Sequence, residues 1–159
     1  MIPVRIIWHH SADLQDSFQF KKINYYHMGQ DFPQSSLGFY CGYHWVIEKN
    51  GELKQARLET EIGAHDAGEN FDSIGICLAG NFNKESPTKE QQITAAKLVK
   101  DIMKRWNIPI TQIEPHRKGD ITDCPGSRLG DYWLVFNYLK SEVNWLNKLI
   151  AMWQLIKAK

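Results

Sequence analysis

The strongest constraint on how this chain folds is a pair of short apolar runs, VRIIW from Val4 to Trp8 and IGICLA from Ile74 to Ala79. Runs this short, rich in β-branched residues and bounded by polar or turn-forming ones, read as buried strands. His9 then falls at the C-terminal end of the first strand, where α/β sheets commonly carry their chemistry. His10 points to the opposite side, because side chains alternate along a strand. Taken alone, either histidine could equally be a core or rim residue.

Helices and a hairpin fill the intervals. Ser17 to Met28 places Phe20, Ile23, Tyr26 and His27 at helical spacing and stops at Gly29, so it predicts an amphipathic helix with a glycine cap. His27 reads there as a packed or groove-lining residue. Asp31 to Gly38 has turn composition, which predicts an exposed loop beside the cleft. Phe39 to Glu48, the turn Lys49-Asn50-Gly51 and the return from Glu52 to Ala56 predict a β-hairpin, with Tyr43 and His44 facing opposite sides. Thr88 and Gln91 make a capping box for a helix reaching Trp106, its apolar stripe being Ile93, Ala96, Val99, Ile102, Met103 and Trp106. Asn107 and Pro109 end it, and a short strand near Ile108 to Ile113 follows.

That strand feeds EPHRKGDITDCPG, Glu114 to Gly126, which sets His116 and Cys124 in one Gly/Pro-punctuated loop. A thiolate and a neutral imidazole suit zinc, and a catalytic zinc takes three protein ligands with a fourth position open. The third ligand must come from elsewhere, and His9 is the best candidate. A single His and Cys at this spacing match no zinc-finger pattern, which argues against a structural site. His65 and Asn70 flank the entry to the second strand and are binding candidates, although hydrogen bonding within their own loop is the commoner role for such residues. Cys77 reads as a small core residue.

At 159 residues the chain fits one domain with a core of its own. A formal net charge of +1 without a dense basic run gives no electrostatic case for nucleic acid. Cys41, Cys77 and Cys124 are odd in number and widely spaced, unlike a disulfide framework, and a reduced cytosol is the simpler home. Met1 to Trp8 lacks the basic start and cleavage site of a signal peptide. The expected location is therefore cytoplasmic as synthesised, with any export depending on another protein.

With these pieces assembled, the chain resembles the zinc-dependent N-acetylmuramoyl-L-alanine amidases, a family that includes phage lysozyme-type amidases and peptidoglycan-recognition proteins. The resemblance is carried by WHHSA at Trp8 to Ala12, GYHWVI at Gly42 to Ile47 with its Asn50-Gly51 turn, and GAH at Gly63 to His65. NFDSIGICLAG at Asn70 to Gly80, then Pro115-His116 and DCPG at Asp123 to Gly126, complete it in order. It implies an α/β domain over residues 1–129, a central mixed β-sheet flanked by α-helices. One zinc ion would be held by His9, His116 and Cys124, with Tyr43 close by and His65 and Asn70 bordering the substrate groove. The implied reaction is hydrolysis of the amide between the lactyl group of N-acetylmuramic acid and L-alanine in peptidoglycan or muropeptides. Tyr43 and Thr122 would donate hydrogen bonds in it. Some phage relatives carry lysine where this chain has Thr122, and active peptidoglycan-recognition amidases carry threonine. Members without the cysteine ligand bind peptidoglycan without cutting it, so a recognition or inhibitory module is the alternative. The biological setting stays open among a phage endolysin, a muropeptide-recycling enzyme and a delivered toxin.

Asp131 to Lys159 reads as one long amphipathic helix capped by Asp131, residues 130–159 forming an extension of the domain. Phe136, Leu139, Val143, Leu146, Ile150 and Trp153 follow heptad-like spacing, with Trp145, Leu149, Met152 and Ile156 beside them. Polar residues interrupt it too often for a transmembrane segment. It could pack onto the domain, make a homo-oligomer, or bind a membrane surface or partner.

Overall fold

A computed structural model describes residues 1–14, 18–116, 122–129, 133–135 and 137–142. The elements run β1 (Arg5–His10), α1 (Gln19–Met28), β2 (Trp45–Ile47), β3 (Leu53–Gln55), β4 (Ser73–Leu78), α2 (Lys89–Trp106), a 3-10 turn (Ile110–Gln112) and β5 (Ile113–Pro115). They build one mixed sheet in the order β3-β2-β4-β1-β5, parallel except for the antiparallel β2–β3 pair. The two apolar runs are thus neighbours at its centre, with Ile6 opposite Ile74 and Trp8 opposite Ile76.

Side-chain alternation assigns the two faces. Ile6 and Trp8 of β1, Ile74, Ile76 and Leu78 of β4, and Ile47 of β2 pack with Ala95, Leu98, Val99 and Ile102 of α2. Val46 and Cys77 point the other way and join Phe20 and Ile23 of α1, with Cys41 and Ala56. A helix therefore covers each face, which is why the central strands read as nearly continuous apolar runs. Fully burying a side chain such as Ile76 or Leu78 contributes about 1.5–3 kcal/mol.

Both helices start where their first N–H groups find acceptors. Thr88 and Gln91 make the expected reciprocal capping box at α2. At α1 the residue before the helix, Phe18, offers no side-chain cap. The buried Glu48 carboxylate instead accepts from the N–H groups of Gln19 (3.1 Å) and Phe20 (2.8 Å). The expected start at Ser17 lies outside the described residues. Gly29 does end α1, but in right-handed conformation (φ −69°), and the positive φ falls on Asp31 instead.

Three expectations need correcting. The hairpin is shorter than its composition suggests: Phe39 to His44 precede β2, so strand alternation does not govern Tyr43 and His44. Ile93 is 46% exposed and lies off the α2 stripe, whose buried members include Ala95 and Leu98. The strand after α2 covers Ile113–Pro115, and Ile110–Gln112 form the 3-10 turn before it. Of the C-terminal extension, residues 133–135 and 137–142 are helical. Leu134 is fully buried in the α2-side core, Asn137 donates to the Gln92 carbonyl at 2.6 Å, and Lys100 pairs with Glu142 at 2.8 Å. This portion packs back onto the domain. The Asp131 cap and the seam beyond Glu142 lie outside the described residues, which hold no helix long and apolar enough to cross a membrane.

Candidate metal centre

His9 occupies the C-terminal half of β1 and projects to the α1 face, while His10 on the other face accepts from the Phe82 N–H through Nδ1 (3.2 Å). His116 follows β5 directly, and its backbone N–H donates to the Trp8 carbonyl at 3.2 Å, continuing the β1–β5 pairing. Adjacent parallel strands thereby deliver two imidazoles to the same end of the sheet, their ring centroids 4.5 Å apart. Cys124 lies at this same point. Its sulfur lies 3.7 Å from His9 Nδ1 and accepts from the His10 backbone N–H at 3.4 Å. Its own N–H donates to Thr122 Oγ1 at 3.2 Å.

His9, His116 and Cys124 are the set of metal-ligating side chains that the fold gathers among the described residues, their ligand atoms all within 4.8 Å of one another. A tetrahedral zinc ion separates a nitrogen and a sulfur ligand by roughly 3.6 Å. The His9–Cys124 distance fits that value, and the donor chemistry fits zinc. Burial, then the neighbouring His65, His116, His10 and His27, holds the His9 pKa well below the ordinary 6.5. Its imidazole is neutral at neutral pH, as a metal ligand must be.

A cavity of about 750 Å³ opens over this cluster, lined among others by His27, Tyr43, His116, Thr122 and Cys124. The Tyr43 ring lies 4.9 Å from that of His9. Burial first, then the nearby cysteine thiols, raises the Tyr43 pKa well above 10, so its hydroxyl keeps its proton. His27 lines the cavity, as its helical position suggested, with Nδ1 accepting from the Gly42 N–H at 2.9 Å.

His65 and Asn70 do not line that cavity. His65 is buried behind His9, its Nδ1 3.1 Å from His9 Nε2, and the Asn70 side-chain oxygen accepts from the N–H groups of His65 (2.8 Å) and Asp66 (3.0 Å). The loop that carries them packs the His65 ring beneath His9 and against Gly63 and Gly75. Two residues escaped the sequence reading. Asp66 is buried with a carboxylate oxygen 3.9 Å from His116 Nε2, and Ser73 Oγ lies 3.5 Å from His65 Nε2. The available signal was a glycine inside each apolar or loop run, at Gly75 and Gly63, since such glycines mark close approach.

Comparison with known proteins gives a consistent picture. The family model described as N-acetylmuramoyl-L-alanine amidase matches residues 2–127. Peptidoglycan-recognition protein SC2 of Drosophila simulans is 35% identical over 130 residues, covering 80% of this chain and 64% of its own length. The chain thus spans less than two thirds of the curated relatives it first matches. Among solved structures, the N-acetylmuramoyl-L-alanine amidase LysC from Clostridium intestinale URNW superposes with a TM-score of 0.71 at 29% identity, covering 90% of this chain and 86% of that one. Drosophila PGRP-LB gives 0.69 at 27% identity, covering 81% and 78%.

Proposed function

The chain belongs to the N-acetylmuramoyl-L-alanine amidase family, and from that premise we propose that it is a zinc-dependent peptidoglycan amidase. Its bond is the amide joining the lactyl group of N-acetylmuramic acid to L-alanine, and its substrates are peptidoglycan or muropeptides. The observation that carries this reading is the meeting of His9, His116 and Cys124 beside Tyr43 under one cavity. A complete ligand set including the thiol favours hydrolysis over recognition alone.

Zinc held by these three side chains would supply Lewis acidity, polarising the scissile carbonyl and acidifying a water to a pKa of about 7. The chain's own groups do the rest. Cys124 is held against the His10 N–H, which stabilises sulfur as thiolate. Tyr43 keeps its proton and donates to the oxygen on which negative charge develops. Thr122 offers a second hydroxyl at the same cavity, its oxygen already engaged by the Cys124 N–H.

The test is release of L-alanyl amino groups from purified cell wall. Release should stop with chelator, return with zinc, and be absent in Cys124→Ala, which should also lack zinc by elemental analysis. Tight binding to cell wall with no release would instead identify a recognition module. Stoichiometric zinc in Cys124→Ala would place the metal elsewhere.

A further inference from the structure

We propose that His65 and Asp66, consecutive residues on one loop, are outer partners that orient the two imidazole ligands, His65 behind His9 and Asp66 behind His116. The inference rests on the amidase reading of the centre and deepens it. A metal-bound imidazole is aimed by whatever its second nitrogen meets, and that partner also fixes which nitrogen carries the proton.

A chain of hydrogen bonds settles the proton on His9. Ser73 Oγ donates to the Glu69 carbonyl at 2.5 Å, so towards His65 Nε2, 3.5 Å away, it can only accept. His65 therefore carries its proton on Nε2 and presents a lone pair at Nδ1. That lone pair faces His9 Nε2 at 3.1 Å, which puts the His9 proton on Nε2. Nδ1 of His9 is left as a lone pair 3.7 Å from the Cys124 sulfur, where a ligand nitrogen belongs. The relay from the Glu69 carbonyl through the Ser73 hydroxyl and the His65 ring thus selects the ligating tautomer before any metal arrives.

The fold makes unusual room for this arrangement. A Cβ at Gly75 would lie 2.4 Å from the His65 ring, and one at Gly63 would lie 2.5 Å from it. Two glycines from separate segments form a slot that an imidazole fills. Next along the chain, the buried Asp66 faces His116 Nε2 at 3.9 Å, beyond a direct hydrogen bond and within reach of one bridging water or a small ring tilt. Asn70 fixes both outer partners together, because its one side-chain oxygen holds their two successive N–H groups.

Two measurements on the full chain test this. Long-range proton–nitrogen NMR of the metal-free protein should find His9 protonated at Nε2, and Ser73→Ala should mix the tautomers. Competition with a chromogenic chelator should show zinc affinity falling roughly 10- to 100-fold in His65→Phe and in Asp66→Asn. The thermal midpoint of metal-free Asp66→Asn should stay at the wild-type value, which separates orientation from folding. A His9 proton on Nδ1, or wild-type zinc affinity in both variants, overturns the proposal and leaves the amidase reading standing. An effect confined to one variant overturns the paired form. A wild-type chain that takes up no zinc overturns the amidase reading itself.

Discussion

Tyr43 shows how one side chain takes its role from its surroundings. Burial among Cys41, Cys77 and Cys124 disfavours the phenolate, so the group can give a hydrogen bond at neutral pH but cannot serve as a base there. Tyr43→Phe removes that donor and little volume. Turnover should fall on the order of 100-fold or more while zinc content stays stoichiometric, measured by initial rates and elemental analysis on the same sample. Unchanged turnover would remove Tyr43 from the reaction. The clustering of His9, His116 and Cys124 was legible because they are chemically distinctive residues, two at strand ends and one in a Gly/Pro-punctuated loop. Tyr43 was selected by family resemblance, since strand alternation does not reach it ahead of β2.

At the scale of elements, β4 is the strand that cannot change its residues freely. Ser73, Gly75 and Cys77 face the centre, where Gly75 admits the His65 ring and its N–H donates to His44 Nδ1 at 3.0 Å. Gly75→Ala would suit a strand's intrinsic preference, yet its methyl collides with His65. We expect it to destabilise the protein by about 1–3 kcal/mol, the usual range for overpacking, read from urea unfolding. His65→Ala in the same background should recover much of that loss; no recovery would mean the strain lies elsewhere. The central strands and α1 were readable from periodicity, and α2 from periodicity and its capping box. The inward turn of residues 62–70 was not, because it depends on space opened by Gly63 and Gly75, which meet only in the folded chain. Ile93 misled for a related reason: periodicity places it near the stripe, and only packing decides the stripe's edge.

For the molecule as a whole, the buried histidines set a response to acid. His44 is fully buried, with Nδ1 accepting from Gly75 and Nε2 3.0 Å from the Glu61 carbonyl, and burial brings its pKa to about 4. Above pH 6.5 it is neutral whether the chain is folded or not, so it adds no pH dependence. Between 6.5 and about 4 the unfolded chain takes up a proton that the folded one refuses, and stability falls. The loss is about 3 kcal/mol for this group and is complete below its folded pKa, with His27 acting in the same direction. Urea midpoints from pH 7 to 4 should trace that decline, and His44→Gln should make it shallower, the remainder coming from the other buried histidines. A wild-type curve level across the window would refute the assignment.

The two-faced character of β1 has one more consequence. Residues 6 and 8 serve the α2 side, whereas His9 serves the cleft, so function is encoded in odd and even positions of a single strand. Deleting one residue ahead of Ile6 would leave that parity intact. Losing Ile7 would turn the imidazole toward the α2 layer and the indole toward the cleft, so a one-residue change of length inside this strand exchanges the two roles.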